Sequence, residues 1–141
     1  MVMTAGAELP PGFHSVTPRM VVSDMAAAVG FLRAVFGAAG DVPDGRPAEI
    51  RIGDSVIMVS AAGVRELFPA FLYVYVDDAD ATYRRALAAG AVVLEEPVDT
   101  PYGDRRAMVR DPSGNVFQIA HRAGADRSDV VAPAADLSAN R

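Results

Sequence analysis

Apolar and polar positions recur along this chain at two spacings, and the changes between them mark out its elements. Residues 13–22 (FHSVTPRMVV) end on an apolar run and read as a strand, with Pro18 near its start, where strand entry or a sheet edge suits it. From Met25 the spacing lengthens. Met25, Val29, Leu32 and Phe36 fall on one face at near-helical intervals, Ser23 or Asp24 is placed to cap them, and Gly37 and Gly40 end the helix. A period of two returns at 48–52 (AEIRI) and 55–60 (SVIMVS), on either side of Gly53-Asp54, which predicts a hairpin. Pairing Ile52 with Ser55 across it sets Arg51 opposite Val56 and Glu49 opposite Met58. After a linker at 61–70 come a strand at 71–76 (FLYVYV), a cap at Asp77 or Asp78, a helix through Ala89 and a stop at Gly90. A strand at 91–96, a loop at 97–104 and a second hairpin follow. That hairpin runs from RRAMVR through Asp111-Pro112-Ser113-Gly114 to NVFQIAHR.

The second half restates the first. Residues 20–38 and 74–91 each carry a short apolar strand, an acidic cap, an Ala-rich helix and a glycine, and Asp78 follows Asp24 by 54 positions. A repeat near this period is a statement about architecture. It predicts an α+β fold in which the first half reads βαβββ or βαββ and the second βαβββ. The expected domain spans 13–122, with modules at about 13–62 and 68–122. A flexible leader at 1–12 precedes it, and a disordered tail at 123–141 follows, rich in Ala, Asp, Ser and Pro.

Alternation assigns the strand faces. Met20, Val22, Ile57, Val59, Leu72, Val74, Val76, Phe117 and Ile119 turn toward the helices. The opposite, concave face takes Thr17, Arg19 and Val21; Val56 and Met58; Glu49 and Arg51; Phe71, Tyr73 and Tyr75; and Val116, Gln118 and Ala120. An aromatic row, apolar walls and a few polar groups suit a small-molecule pocket. The competing reading is that the aromatics fill an interface between modules and that Glu49 pairs with Arg19 or Arg51.

Composition narrows the choices. The chain has 141 residues, 51% of them apolar, a net charge of −5 and no cysteine. No Lys/Arg cluster offers a surface to nucleic acid or an anionic membrane. No apolar run reaches the roughly 18 residues that span a bilayer, and the N-terminus lacks the pattern of a signal peptide. The expectation is a soluble cytoplasmic protein. His14 and His121 read as lone surface or packing histidines.

Three segments carry a family resemblance: PYGDRRAMVRDPSGNVFQIA at 101–120, AEIRIGDSVIMVS at 48–60 and YVDDADA at 75–81. With the duplication, they resemble the vicinal oxygen chelate superfamily of glyoxalase I, extradiol dioxygenases, and fosfomycin and bleomycin resistance proteins. The nearest branches are the bleomycin-resistance-like and PhnB-type glyoxalase-like ones. The resemblance implies two tandem βαβββ modules forming curved mixed sheets with helices on their outer faces. It implies a homodimer with clefts between modules. Enzymes of the superfamily hold a divalent metal through His and Glu, two from each module. The matching positions here are Thr17, Met58, Phe71 and Gln118, none a carboxylate or an imidazole, so no metal and no other cofactor is expected. Tyr102 stands where the bleomycin-resistance pattern places a ligand-stacking Trp.

The expected function is metal-free binding of a hydrophobic or aromatic compound, as in antibiotic or natural-product sequestration. The ligand-binding candidates are Thr17, Arg19, Glu49, Arg51, Met58, Phe71, Tyr73, Tyr75, Tyr102 and Gln118. The alternatives are a lyase, isomerase or dioxygenase with Glu49 as acid/base and Arg19 or Arg51 steadying an oxyanion, and a degenerate structural member without ligand. The absent metal ligands tilt the reading away from an enzyme.

Overall fold

A computed structural model describes residues 8–124. The elements in order are β1 (Arg19–Val22), α1 (Met25–Phe36), β2 (Ala48–Ile52), β3 (Ser55–Ala61), β4 (Phe71–Tyr75), α2 (Ala79–Ala88), β5 (Val92–Asp99), β6 (Asp104–Arg110) and β7 (Val116–Arg122). They form two sheets, ordered β1-β3-β2 and β4-β7-β6-β5. In each sheet the first strand runs parallel to the last and the remaining pairs are antiparallel. The first sheet keeps a trace of a fourth strand. Ala39 and Arg51 exchange backbone hydrogen bonds of 3.0 and 2.8 Å as an isolated antiparallel bridge. Ala39 thus stands where β5 stands in the second sheet. Both modules are βαβββ, the first with one strand reduced to a single pair. Most of the expected leader and tail, residues 1–7 and 125–141, lies outside the described residues.

The duplicated caps work alike. The Asp24 carboxylate accepts from the Ala27 N–H at 3.0 Å and that of Asp78 from the Ala81 N–H at 3.1 Å, each satisfying a donor at a helix start. Gly37, at φ +65°, closes α1 in the left-handed conformation that a side chain disfavours. The helices meet across the repeat. Phe31 and Phe36 of α1 lie 5.9 and 5.3 Å from the Phe117 ring of β7, centroid to centroid, and Arg85 of α2 donates to the Val35 carbonyl. A single apolar cluster therefore runs through both modules, and burial of a ring such as Phe117 stabilises it by about 2–3 kcal/mol. Each sheet gives one face to this helical layer and leaves the other uncovered by helix. No helix among the described residues is long and apolar enough to cross a membrane.

The first hairpin has the expected register, Ile52 with Ser55, Arg51 with Val56 and Glu49 with Met58. Two boundaries differ from expectation. β1 starts at Arg19 and not at 13, because Pro18 has no N–H to give the ladder; its carbonyl still accepts from the Met58 N–H at 2.9 Å. β5 runs on to Asp99, through the segment expected as loop, with Pro97 inside it. As an edge strand whose register shifts between Glu95 and Val98, β5 accommodates a residue without a donor. The DPSGN turn is a clamp. Asp111 Oδ1 accepts from the Ser113 and Asn115 N–H groups, and buried Asn115 accepts from the Ala70 N–H at 2.8 Å, tying the linker to the second hairpin.

Candidate functional site

The open face of the second sheet carries an aromatic row over a charged network. Leu72 and Val74 pack against the core, so alternation turns Phe71, Tyr73 and Tyr75 outward, 67%, 37% and 50% exposed. On β6 the same alternation puts Asp104, Arg106 and Met108 on that side, and β5 adds Glu95 opposite Met108. The Tyr73 and Tyr75 hydroxyls both donate to Asp104 Oδ2 at 2.7 Å. Tyr73 Oη also lies 3.5 Å from Tyr102 Oη. Arg106 donates from Nη1 to Tyr102 Oη at 2.9 Å, and from Nε and Nη2 to the two Glu95 oxygens at 2.9 and 3.1 Å. Arg122 Nε stands 3.6 Å from Asp104 Oδ1.

Burial makes this network costly unless it is complete. Asp104 is fully buried and Arg106 only 1% exposed, and such charges persist when paired and hydrogen-bonded. Two carboxylates meet two guanidinium groups, so the set is balanced. Burial of Arg106 works against its charge, but the bonds to Glu95 and Tyr102 outweigh this and hold it above the ordinary arginine value. The Tyr73 phenol is pushed well above the ordinary tyrosine range, first by burial and then by its bonds to Tyr102 and Asp104. It is therefore a donor and not a base. The hydroxyls are committed to Asp104, and the rings, 5.3 Å apart and inclined at 54°, keep their exposed surface. Chemically, the arrangement offers a fixed stacking surface.

The open face of the first sheet is unlike it. Arg19, Met58 and Glu49 form one cross-strand row, with Arg19 Nη2 3.3 Å from Met58 Sδ. Arg51 and Val56 form the next. The chain at Gly12 lies against the Arg51 guanidinium so closely that an added Cβ would stand 2.4 Å from Nη2. Pro11 and Phe13 there close a cavity of about 230 Å³ over Glu49, Arg51 and Val56. Toward the linker lie two adjoining cavities of about 620 and 530 Å³ that share Arg19, Val64 and Arg65. Glu49 forms no ion pair with Arg19 or Arg51 among the described residues, so the pairing considered from sequence is absent there.

The ten candidate residues thus fall into two groups of five. Arg19, Glu49, Arg51 and Met58 belong to the first sheet, with Thr17 half-buried just before β1. Phe71, Tyr73, Tyr75 and Gln118 belong to the second, with Tyr102 in the turn before β6. The helical layer lies between them, so one chain does not join the two faces. Tyr102 sits buried inside the network and not on its surface. Glu95, Asp104, Arg106 and Arg122 were not among the candidates; the observed register of the second hairpin, which pairs Arg106 with Ala120, brings Arg106 to this face. His121 Nδ1 accepts from the Ala79 N–H at 2.7 Å, which accounts for that histidine as a helix cap. Thr17, Met58, Phe71 and Gln118 offer a hydroxyl, a thioether, a phenyl and a carboxamide. Among the described residues no three His, Cys, Asp or Glu stand together as a metal site. This donor set does not fit a metal centre of the superfamily type.

Comparison with known proteins agrees with the geometry. The family model for the Glyoxalase/Bleomycin resistance protein/Dioxygenase superfamily matches residues 12–119. An uncharacterised protein of Mycobacterium bovis is 34% identical over 123 residues, covering 74% of this chain and 81% of its own length. The anthracycline biosynthesis protein DauV of Streptomyces sp. (strain C5) is 38% identical over 107 residues, 71% of this chain and 38% of that longer protein. Among solved structures, TioX from Micromonospora sp. ML1 superposes with a TM-score of 0.65 at 26% identity, over 80% of this chain and 99% of its own.

Proposed function

Since the chain belongs to the glyoxalase/bleomycin resistance protein/dioxygenase superfamily, we propose that it is a metal-free binding protein for a flat aromatic small molecule, held against Tyr73 and Tyr75. The observation that carries this reading is the Asp104 anchor. Both hydroxyls donate to one buried carboxylate, so the rings are fixed without help from a ligand and little ordering entropy is lost on binding. The relationship to an anthracycline biosynthesis protein supports a polycyclic aromatic ligand. A cleft requires a second wall, and we assign it to another copy of the chain. Leu67 and Phe68 at the end of the linker and Phe71 at the start of β4 are exposed, apolar surface beside the tyrosine row suited to a homodimer interface. Binding alone requires neither a nucleophile nor a metal, in keeping with the donor set at Thr17, Met58, Phe71 and Gln118.

The test is a titration of an anthracycline, followed by its own fluorescence. Tyr73→Ala and Tyr75→Ala should each weaken binding by about tenfold, the loss of one stacking contact of about 1.4 kcal/mol, and sedimentation should give a dimer. Unchanged affinity in both variants would sink the proposal. Stoichiometric zinc, nickel, manganese or iron in protein purified without chelator would favour a metalloenzyme instead.

A further inference from the structure

The cavity of about 620 Å³ beside β1 and β3 has a chemistry that the tyrosine face lacks. Its walls include Arg19, Arg46, Arg65 and Ser60, and no carboxylate is among its lining residues. The chain as a whole carries 18 acidic against 13 basic residues, so three guanidinium groups around one acid-free hollow run against the general balance. None of the three forms an ion pair among the described residues; the ion pairs found there use Arg33, Arg105, Arg106 and Arg122. The acids nearest to Arg46 and Arg65 in sequence, Asp44 and Glu66, form no ion pair with them among the described residues, and Glu66 borders the adjoining cavity. A second observation is independent of charge. Ser60, one of the lining residues, is only 8% exposed, and its buried Oγ has no hydrogen-bond partner among the described residues. A buried hydroxyl without a partner is uncommon because desolvation is left uncompensated. The sheet does not demand this hydroxyl. Ser60 pairs with Val21 as Ala120 pairs with Tyr75 in the second sheet, so the repeat puts a methyl group at the corresponding place.

We propose that this cavity is an oxyanion site that receives the phosphoryl or carboxylate end of a small molecule. Arg19, Arg46 and Arg65 supply forked donors matched to such oxygens, and rotation of the Ser60 side chain about χ1 on binding lets its Oγ donate a further hydrogen bond. A volume of about 620 Å³ lies in the range of small-ligand sites. The inference is independent of the tyrosine surface, and its probes carry no aromatic ring.

The test uses the full chain at low ionic strength, with pyrophosphate, inorganic phosphate and citrate titrated against chloride at matched ionic strength, by calorimetry and thermal shift. Saturable binding is expected, weakening with added salt. Preference for pyrophosphate assigns a phosphoryl group, and preference for citrate assigns carboxylates. Arg46→Gln and Arg65→Gln should each weaken binding by about tenfold or more, as for loss of a charge-assisted hydrogen bond, while Arg84→Gln on the exposed side of α2 binds normally. Ser60→Ala should weaken binding several-fold without lowering the melting temperature of the free protein. A purely structural serine would do the reverse, lowering the melting temperature and leaving affinity intact, which would remove Ser60 from the site. The proposal is overturned if these anions act no differently from chloride, or if Arg84→Gln loses as much affinity as Arg46→Gln and Arg65→Gln.

Discussion

The two modules share one plan of strands, caps and turns, yet their open faces have diverged position by position. Where the first sheet presents Arg19, Met58 and Glu49 in a row, the second presents Tyr73, Gln118 and Met108. Where the first has Ser60 with a free hydroxyl, the second has Ala120. The difference follows from one strand. In the second sheet β5 brings Glu95 to Arg106, and the buried cation is satisfied. In the first sheet that strand survives only as the bridge at Ala39, and among the described residues no carboxylate forms an ion pair with Arg19. The second module spends its charges on itself to fix two rings. The first leaves its charges available to a partner from solution.

The comparison can be broken or sharpened by mutation. The largest effect is expected at the joint between the modules. Phe117→Ala removes the ring that both Phe31 and Phe36 meet and should cost about 4 kcal/mol in urea denaturation. All four tyrosines lie at or beyond residue 73 and the chain has no tryptophan, so tyrosine fluorescence reports the second module alone. Its transition should coincide with that seen by far-ultraviolet circular dichroism in the parent protein. Separate transitions in the parent would show that the halves fold independently and that the shared core is not a joint.

A smaller effect distinguishes the two kinds of arginine. Arg106→Ala leaves Glu95 and Tyr102 without their bidentate and hydroxyl contacts and should cost about 3 kcal/mol. Arg19→Ala, on the open first face, should change stability by less than about 0.5 kcal/mol. Similar losses at the two sites, measured by the same denaturation, would erase the contrast.

The smallest effect appears in alkali. The folded protein holds the Tyr73 proton above the ordinary tyrosine range, whereas the unfolded chain releases it near pH 10. Stability from this group is complete below about pH 10 and declines as pH rises beyond it, since the unfolded state then binds fewer protons. Tyr73→Phe should flatten that decline in denaturation curves between about pH 9 and 11.5. A slope unchanged by the substitution would place the phenol outside the Asp104 network.

Much of this organisation was legible in the residues. The caps at Asp24 and Asp78, the first hairpin's register and the inward set from Met20 to Ile119 all follow from local rules, because alternation and cap chemistry act over a few positions. The network of Glu95, Arg106, Tyr102 and Asp104 was not. Glu95 lay within the expected strand at 91–96, but the register shift that brings it opposite Met108 is settled by pairing and not by composition, and Tyr102 and Asp104 fell in the segment read as loop. The division of the ten candidates between two faces was hidden for a different reason. Strand patterns tell which side of a sheet is covered, but only the contact of Phe31 and Phe36 with Phe117 shows that the helical layer stands between the sheets.

The position of β4 in its sheet has a consequence for how the chain is made. Among the described residues its only strand neighbour is β7, and the clamp from Ala70 to Asn115 spans 45 residues. At synthesis rates of about 5–20 residues per second, roughly two to nine seconds separate the two strands. Throughout that interval Phe71, Tyr73 and Tyr75 have emerged without a ladder to join. The yield of soluble protein should therefore respond to translation speed between codons 76 and 116 more than to the stability of the finished fold.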